Sequence, residues 1–238
     1  MTPLSFISAA TAPITINALI YGGPGVGKTT AALGAPGPIL LLNAEGPNAP
    51  RFARKFYQSK TINEVAMEGP ETLTDVYHHL LDGKGGEQTL VVDSLGEIHT
   101  QLLEKAAGGS KKEIQQYGDA MNHLERFCRL AFKNLPQNVI LITHELDGRD
   151  TDGEQILLPF TGTSNPVLGR KIMARADVVA YAAATSTEDG TRRVAQFTNG
   201  AGRFGKNREG LLGKWGELDP AAWIAAYAEA NTPTKVTK

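Results

Sequence analysis

Continuously apolar stretches alternate along this chain with stretches whose apolar residues recur every three or four positions. Four short runs are of the first kind: Pro38 to Leu42, Thr89 to Asp93, Asn138 to Thr143 and Asp177 to Tyr181. Their length and unbroken hydrophobicity predict strands buried on both faces. A fifth, Ile14 to Tyr21, is apolar with interruptions and leads directly into glycines. The clearest helical stripe is Ile114, Tyr117, Met121, Leu124, Cys128, Ala131 and Leu135, which stops at Pro136. Strands alternating with helices predict an α/β fold with a mainly parallel central sheet flanked by helices.

Toward the C-terminus the pattern changes. Asp-Gly turn signals predict hairpins over Gly148 to Phe160 and between 178–185 and 191–198, so antiparallel strands should finish the sheet. A last helix is expected from Asp219-Pro220, an N-cap followed by proline at the first helical position, through Trp223 and Tyr227. Residues 14–230 read as one domain, preceded by an arm over 1–13 and followed by a disordered tail over 231–238. Ala107 to Lys112, with its Gly-Gly-Ser-Lys-Lys, reads as a mobile loop.

Gly22-Gly23-Pro24-Gly25-Val26-Gly27-Lys28-Thr29 fits the P-loop pattern G-x-x-x-x-G-K-T, with a strand expected before it and a helix after it. Glycines let backbone N–H groups wrap an oligophosphate, so Gly22 to Thr29 and the following Thr30 are the candidate nucleotide-binding residues. Lys28 should reach the β- and γ-phosphates and Thr29 should offer a hydroxyl to Mg²⁺. A second magnesium-side oxygen should come from an acid at the end of a buried strand, and Asp93 fits. Motors that place a catalytic Glu directly after that Asp are a poor match, because Ser94 follows it here. Glu45, just past the second buried strand, is placed to polarise an attacking water, the alternative being a solvated loop acid.

This order of features resembles the RecA superfamily: a P-loop, a Glu at the end of the next strand, a strand ending Asp-Ser, and a strand ending in a polar sensor. The compact form is similar to the Sak-type phage single-strand annealing proteins and related phage ATP-binding proteins, over roughly residues 14–215. The resemblance implies a RecA-like P-loop NTPase core, ATP and Mg²⁺ as ligands, and ATP hydrolysis. It implies Phe52 beside the adenine, and His144 at the position of a glutamine that senses the γ-phosphate and signals to a DNA loop. It also implies single-stranded DNA as partner, annealing or recombination as function, self-association into a ring or filament, and cooperation with a single-strand-binding protein. Lys206 and Arg208 resemble a Lys-x-Arg pair that reaches the γ-phosphate of an adjacent subunit. A solvated basic loop or phosphate contacts to DNA are the alternatives.

Candidate DNA contacts are Lys111 and Lys112 with Tyr117 behind them, and Arg149, Arg170 and Lys171 after His144. Tyr117 also lies on the apolar stripe, where core packing explains it equally well. Phe6-Ile7-Ser8-Ala9 matches an F-x-x-A assembly hook, a pattern expected about once by chance in such a chain.

The whole chain has 238 residues, 41% hydrophobic and 21% charged, with net charge −1. That balance excludes a uniformly basic nucleic-acid coat but allows a local stripe, which begins at Arg192 and Arg193 and continues through Arg203 to Lys214. The single cysteine, Cys128, excludes an internal disulfide, and no run approaches the ~20 apolar residues of a membrane span. A cytoplasmic protein is the expectation. Two other classes stay open: a motor or loader acting on duplex DNA or protein, and a slow-turnover regulatory nucleotide-binding module.

Overall fold

The computed structural model describes residues 14–107, 113–149, 152–188 and 190–232. Its first half runs β1 (Asn17–Tyr21), α1 (Lys28–Ala32), β2 (Ile39–Asn43), α2 (Arg51–Phe56), β3 (Ile62–Ala66), α3 (Pro70–Asp82), β4 (Thr89–Asp93) and α4 (Leu95–Ala107). Its second half runs α5 (Glu113–Asn134), β5 (Asn138–Thr143), β6 (Glu145–Arg149), β7 (Gln155–Pro159), α6 (Val167–Arg175), β8 (Val178–Thr187), β9 (Gly190–Gln196), β10 (Lys206–Asn207), β11 (Trp215–Glu217) and α7 (Pro220–Ala230). The arm over 1–13, with Phe6 and Ala9, and most of the expected tail lie outside the described residues, as do Lys111 and Lys112.

The main sheet has the order β11-β9-β8-β1-β5-β4-β2-β3, with β10 paired to β8 off that path. The six strands from β8 to β3 are parallel, and β9, β10 and β11 join antiparallel. The predicted α/β class and its antiparallel finish are therefore what the chain adopts. Continuous hydrophobicity in the central strands has a direct cause, because successive side chains enter two separate cores. Leu19, Tyr21, Leu90, Val92 and Leu141 pack with α3, α4, α5 and α6. Ala18, Ile20, Val91, Ile140 and Ile142 pack with α1, α2 and α7.

Two details differ from expectation. The first hairpin is β6 against β7, pairing Glu145 with Pro159 and Gly148 with Ile156, so it begins three residues earlier than the turn signals suggested. The helix stripe holds at Leu124, Cys128, Ala131 and Leu135, all buried, but Ile114 is 87% exposed and Tyr117 38% exposed, because at the start of α5 it is Gln116 that turns inward. At the C-terminus Asp219 caps α7 as predicted, its carboxylate accepting from Ala221 N at 3.0 Å and Ala222 N at 3.3 Å.

Strand order positions the chemistry. β5 lies between β1, which leads into the P-loop, and β4, which ends in Asp93. Because β1, β2, β4 and β5 are parallel, the P-loop, Glu45, Asp93 and His144 all emerge at one edge of the sheet.

Candidate nucleotide and hydrolysis site

The P-loop runs tight against β8. A side chain at Gly22 would place its Cβ 2.3 Å from the Ala182 carbonyl oxygen, and Gly22 has φ of 151°, so only glycine fits. Gly27 adopts φ of 92°, and a Cβ there would meet the Arg193 side chain at 2.3 Å. Lys28 folds back over the loop, donating to Gly22 O at 2.9 Å and Gly23 O at 2.7 Å. Burial pulls its ammonium below the ordinary lysine value, against the pull of Asp93, Glu145 and Glu45. It is a largely buried cation among carboxylates at the P-loop.

Thr29 Oγ1 donates to Asp93 Oδ2 at 2.5 Å. Asp93 is 5% exposed, and burial raises it from 3.8 to about 6, assisted by the Glu45 charge and opposed by the Thr29 hydrogen bond and Lys28. Together these are two hard oxygen donors at the mouth of the P-loop, a donor set that fits Mg²⁺, which takes one or two protein oxygens and completes its shell with phosphate and water. No cluster of three or more His, Cys, Asp or Glu suited to a metal occurs among the described residues.

Glu45 sits across the cavity. Ser94 Oγ donates a hydrogen bond to Glu45 Oε1, and His144 Nε2 lies 3.9 Å from the same oxygen. Asn43 Oδ1 accepts from the Glu45 backbone N–H at 3.0 Å, fixing the turn after β2. Burial and the nearby Lys28 hold His144 below the ordinary histidine value, so at neutral pH its imidazole is uncharged. The serine that argued against an adjacent catalytic Glu is therefore the group that orients Glu45. A cavity of about 270 Å³ lies among these groups, lined by Pro24, Gly25 and Gly27 to Thr30 of the loop together with Glu45, Phe52, Asp93, His144 and Arg193. Phe52 is 60% exposed at its rim and packs edge-on to Phe56, which leaves a free ring face.

A family comparison fits this geometry: residues 14–209 match the AAA domain family AAA_24. The chain belongs to that family. The match spans the segments that carry the P-loop, Glu45, Asp93 and His144, and it makes the chain a P-loop NTPase domain of the AAA_24 type. The replication factor C large subunit of Haloarcula marismortui is 26% identical over 141 residues, covering 54% of this chain and 26% of that protein. The chain thus spans about a quarter of that relative's length. A KaiC-like protein from the archaeon Pyrococcus horikoshii superposes with TM-score 0.43 at 17% identity over 78% of this chain and 79% of that one. The flagellar accessory protein FlaH of Methanocaldococcus jannaschii gives TM-score 0.40 at 10% identity, over 82% and 80%.

The remaining predicted residues lie elsewhere. Lys206 donates to Met173 O at 3.2 Å and Ala174 O at 2.8 Å, and Arg208 pairs with Asp177 at 3.0 Å, so within its own chain this pair closes the C-terminal end of α6. That is the opposite edge of the sheet from the P-loop, because β10 pairs with the start of β8 at Val178 and Val179. Neither side chain lines the P-loop cavity of its own chain. Arg149, Arg170 and Lys171 are exposed together on β6 and α6, Arg170 donating to Arg149 O at 3.0 Å. Tyr117 packs edge-on against His99, 5.4 Å between ring centres. Sequence reasoning missed the site roles of Ser94, Glu145 and Arg193. Glu145 was discoverable as the residue next to His144 at a strand end, whereas Arg193 depends on a strand pairing that no local signal states.

Proposed function

We propose that this chain is a Mg²⁺-dependent ATPase that binds single-stranded DNA in a nucleotide-controlled way and serves annealing or recombination. Lys28 and the loop amides hold the phosphate chain, while Thr29 and Asp93 hold the ion, whose charge neutralises the β- and γ-oxygens when it is bound. Glu45, aimed by the Ser94 hydroxyl, accepts the proton of the attacking water. His144, uncharged and within reach of Glu45, reports the state of the γ-phosphate.

One observation carries the DNA half of this reading. His144 leads without interruption into β6, and its carbonyl accepts from Phe160 N at 2.8 Å, so one segment joins the hydrolysis site to both ends of the β6–β7 hairpin. That hairpin presents Arg149 beside Arg170 and Lys171 of α6, exposed cations of the kind that track single-strand phosphates. Assembly into a ring or filament would bring the Lys206 and Arg208 of one copy toward the next, and a single-strand-binding protein is the partner that the DNA role calls for.

The test is fluorescence anisotropy of a labelled single-stranded oligonucleotide with Mg²⁺ and a non-hydrolysable ATP analogue, with nucleotide-free and duplex controls at two salt concentrations. Binding that favours single strands, weakens with salt and strengthens with nucleotide is expected. Absence of single-strand binding in every nucleotide state would overturn the DNA role and leave the ATPase.

A further inference from the structure

The basic stripe that begins at Arg192 divides sharply by partner. Arg192 pairs with Glu217 at 3.4 Å, the Arg203 guanidinium lies over the Tyr181 ring at 4.6 Å, and Arg208 pairs with Asp177 at 3.0 Å. The Arg193 side chain has neither hydrogen bond nor ion pair among the described residues, its backbone carbonyl alone accepting from Leu218 N at 3.3 Å outside the strand ladder. It lines the cavity at the P-loop, where Lys28 is the other basic side chain of the Lys or Arg type.

Its position follows from strand pairing. β8 pairs with β1 as far as Tyr21 opposite Tyr181, then continues past the end of β1 beside the P-loop. β9 returns along that extension with Arg193 opposite Ala184, three residues beyond Tyr181 and so about 10 Å past the sheet edge, level with the P-loop. Side chains alternate along β9, so Arg193 shares a face with Ala195 and Phe197. Those two are buried in the core that includes Ala31 and Ala32 of α1, which fixes the face toward the helix that begins at Lys28. Arg193 Nε and Cδ then lie where a Cβ on Gly27 would be, at 2.3 and 2.5 Å, so the absence of a side chain at Gly27 is what lets the arginine in.

From this we infer that Arg193 is a nucleotide-binding residue supplied in cis, a guanidinium that β9 lays across the P-loop to contact the phosphate chain alongside Lys28. The inference rests on the reading of the cavity as a nucleotide site and adds to it a cation from the same chain, independent of any Lys206 or Arg208 contribution from a neighbour. Arginine suits the position because its charge is permanent and its planar fork can engage two phosphate oxygens at once. The ligand is a nucleoside di- or triphosphate with its polyphosphate extended along Gly25 to Thr29.

The experiment measures equilibrium binding of fluorescent ADP and ATP with Mg²⁺ to the full chain and to Arg193→Gln, Arg193→Ala and Arg193→Lys, with thermal melting as the control for folding. Arg193→Gln keeps a stem that packs on Gly27, so it tests the charge alone. The expected result is affinity for both nucleotides at least tenfold weaker in Arg193→Gln, with part of the loss restored in Arg193→Lys. Nucleotide affinity equal to the parent protein in Arg193→Gln would overturn the inference while leaving the nucleotide site standing. Mixing Arg193→Ala with an excess of Lys28→Ala chains tests the cis assignment, since a cis arginine cannot be supplied by a neighbour; recovered binding would refute it. A parent protein that binds neither nucleotide would remove the ligand itself, and both readings would fall together.

Discussion

Asp93 makes a prediction in which function and stability pull in opposite directions. Burial raises its carboxyl from 3.8 to about 6, so at neutral pH the folded chain holds a carboxylate at a cost of about 3 kcal/mol relative to the unfolded chain. The sign follows from proton binding. Between 3.8 and about 6 the folded state keeps a proton that the unfolded state has lost, so stability falls as pH rises through that window and the full cost is present above it. Asp93→Asn removes the charge and retains an oxygen that can accept from Thr29 Oγ1. It also takes from Lys28 one of the three carboxylates that favour its charged form, which offsets part of the gain. The net expectation is a nucleotide-free protein about 1–2 kcal/mol more stable than the parent, a rise in Tm of about 2–8 °C for a domain of this size. Thermal melting in chelator at about pH 7.5 and about pH 4.5 reads it directly, since the advantage should shrink at the lower pH as the parent's Asp93 takes up its proton. In the same variant the Tm increase on adding ATP with Mg²⁺ should be lost. A variant no more stable than the parent near neutral pH, or equally favoured at both pH values, would refute the account of a desolvated carboxylate kept for ligand binding.

Other substitutions follow from the same geometry. Ser94→Ala removes the hydroxyl that orients Glu45, so turnover should fall about tenfold while ATP affinity holds; steady-state kinetics and binding measured together separate the two. Gly22→Ala sets a Cβ against the Ala182 carbonyl and should cost about 2 kcal/mol in denaturant unfolding, with nucleotide affinity reduced as the loop shifts. Lys28→Ala should weaken ATP binding by about 10- to 100-fold in calorimetric titration with the melting transition preserved.

The parts of this molecule legible in its sequence were those whose pattern has a single physical cause. A strand buried on both faces must be apolar throughout, which exposed β2, β4, β5 and β8; a loop that wraps phosphate must be glycine-rich, which exposed Gly22 to Thr29. Glu45, Asp93 and His144 were legible because parallel strands end at one edge, and the structure gathers all three there. Edge strand β3, Ile62–Ala66, gave no such signal, because it is only partly buried and carries Asn63 and Glu64 within its five residues. Tyr117 kept the helical period of the α5 stripe although it and Ile114 are exposed while Gln116 beside them is buried, since periodicity reports a face and not what covers it. Lys206, Arg208 and Arg193 show the same limit for charge. All three sit in one basic stretch, and antiparallel pairing sends the first two to the far edge of the sheet and Arg193 to the P-loop.

The central claim is that ATP bound at the P-loop is cleaved by a water that Glu45 activates. Single-turnover hydrolysis with protein in excess over labelled ATP and Mg²⁺, comparing the parent chain with Glu45→Gln, tests it most directly. The account predicts that Glu45→Gln binds ATP as tightly as the parent and cleaves it at least ~100-fold more slowly. Cleavage by Glu45→Gln at the parent's rate would contradict it.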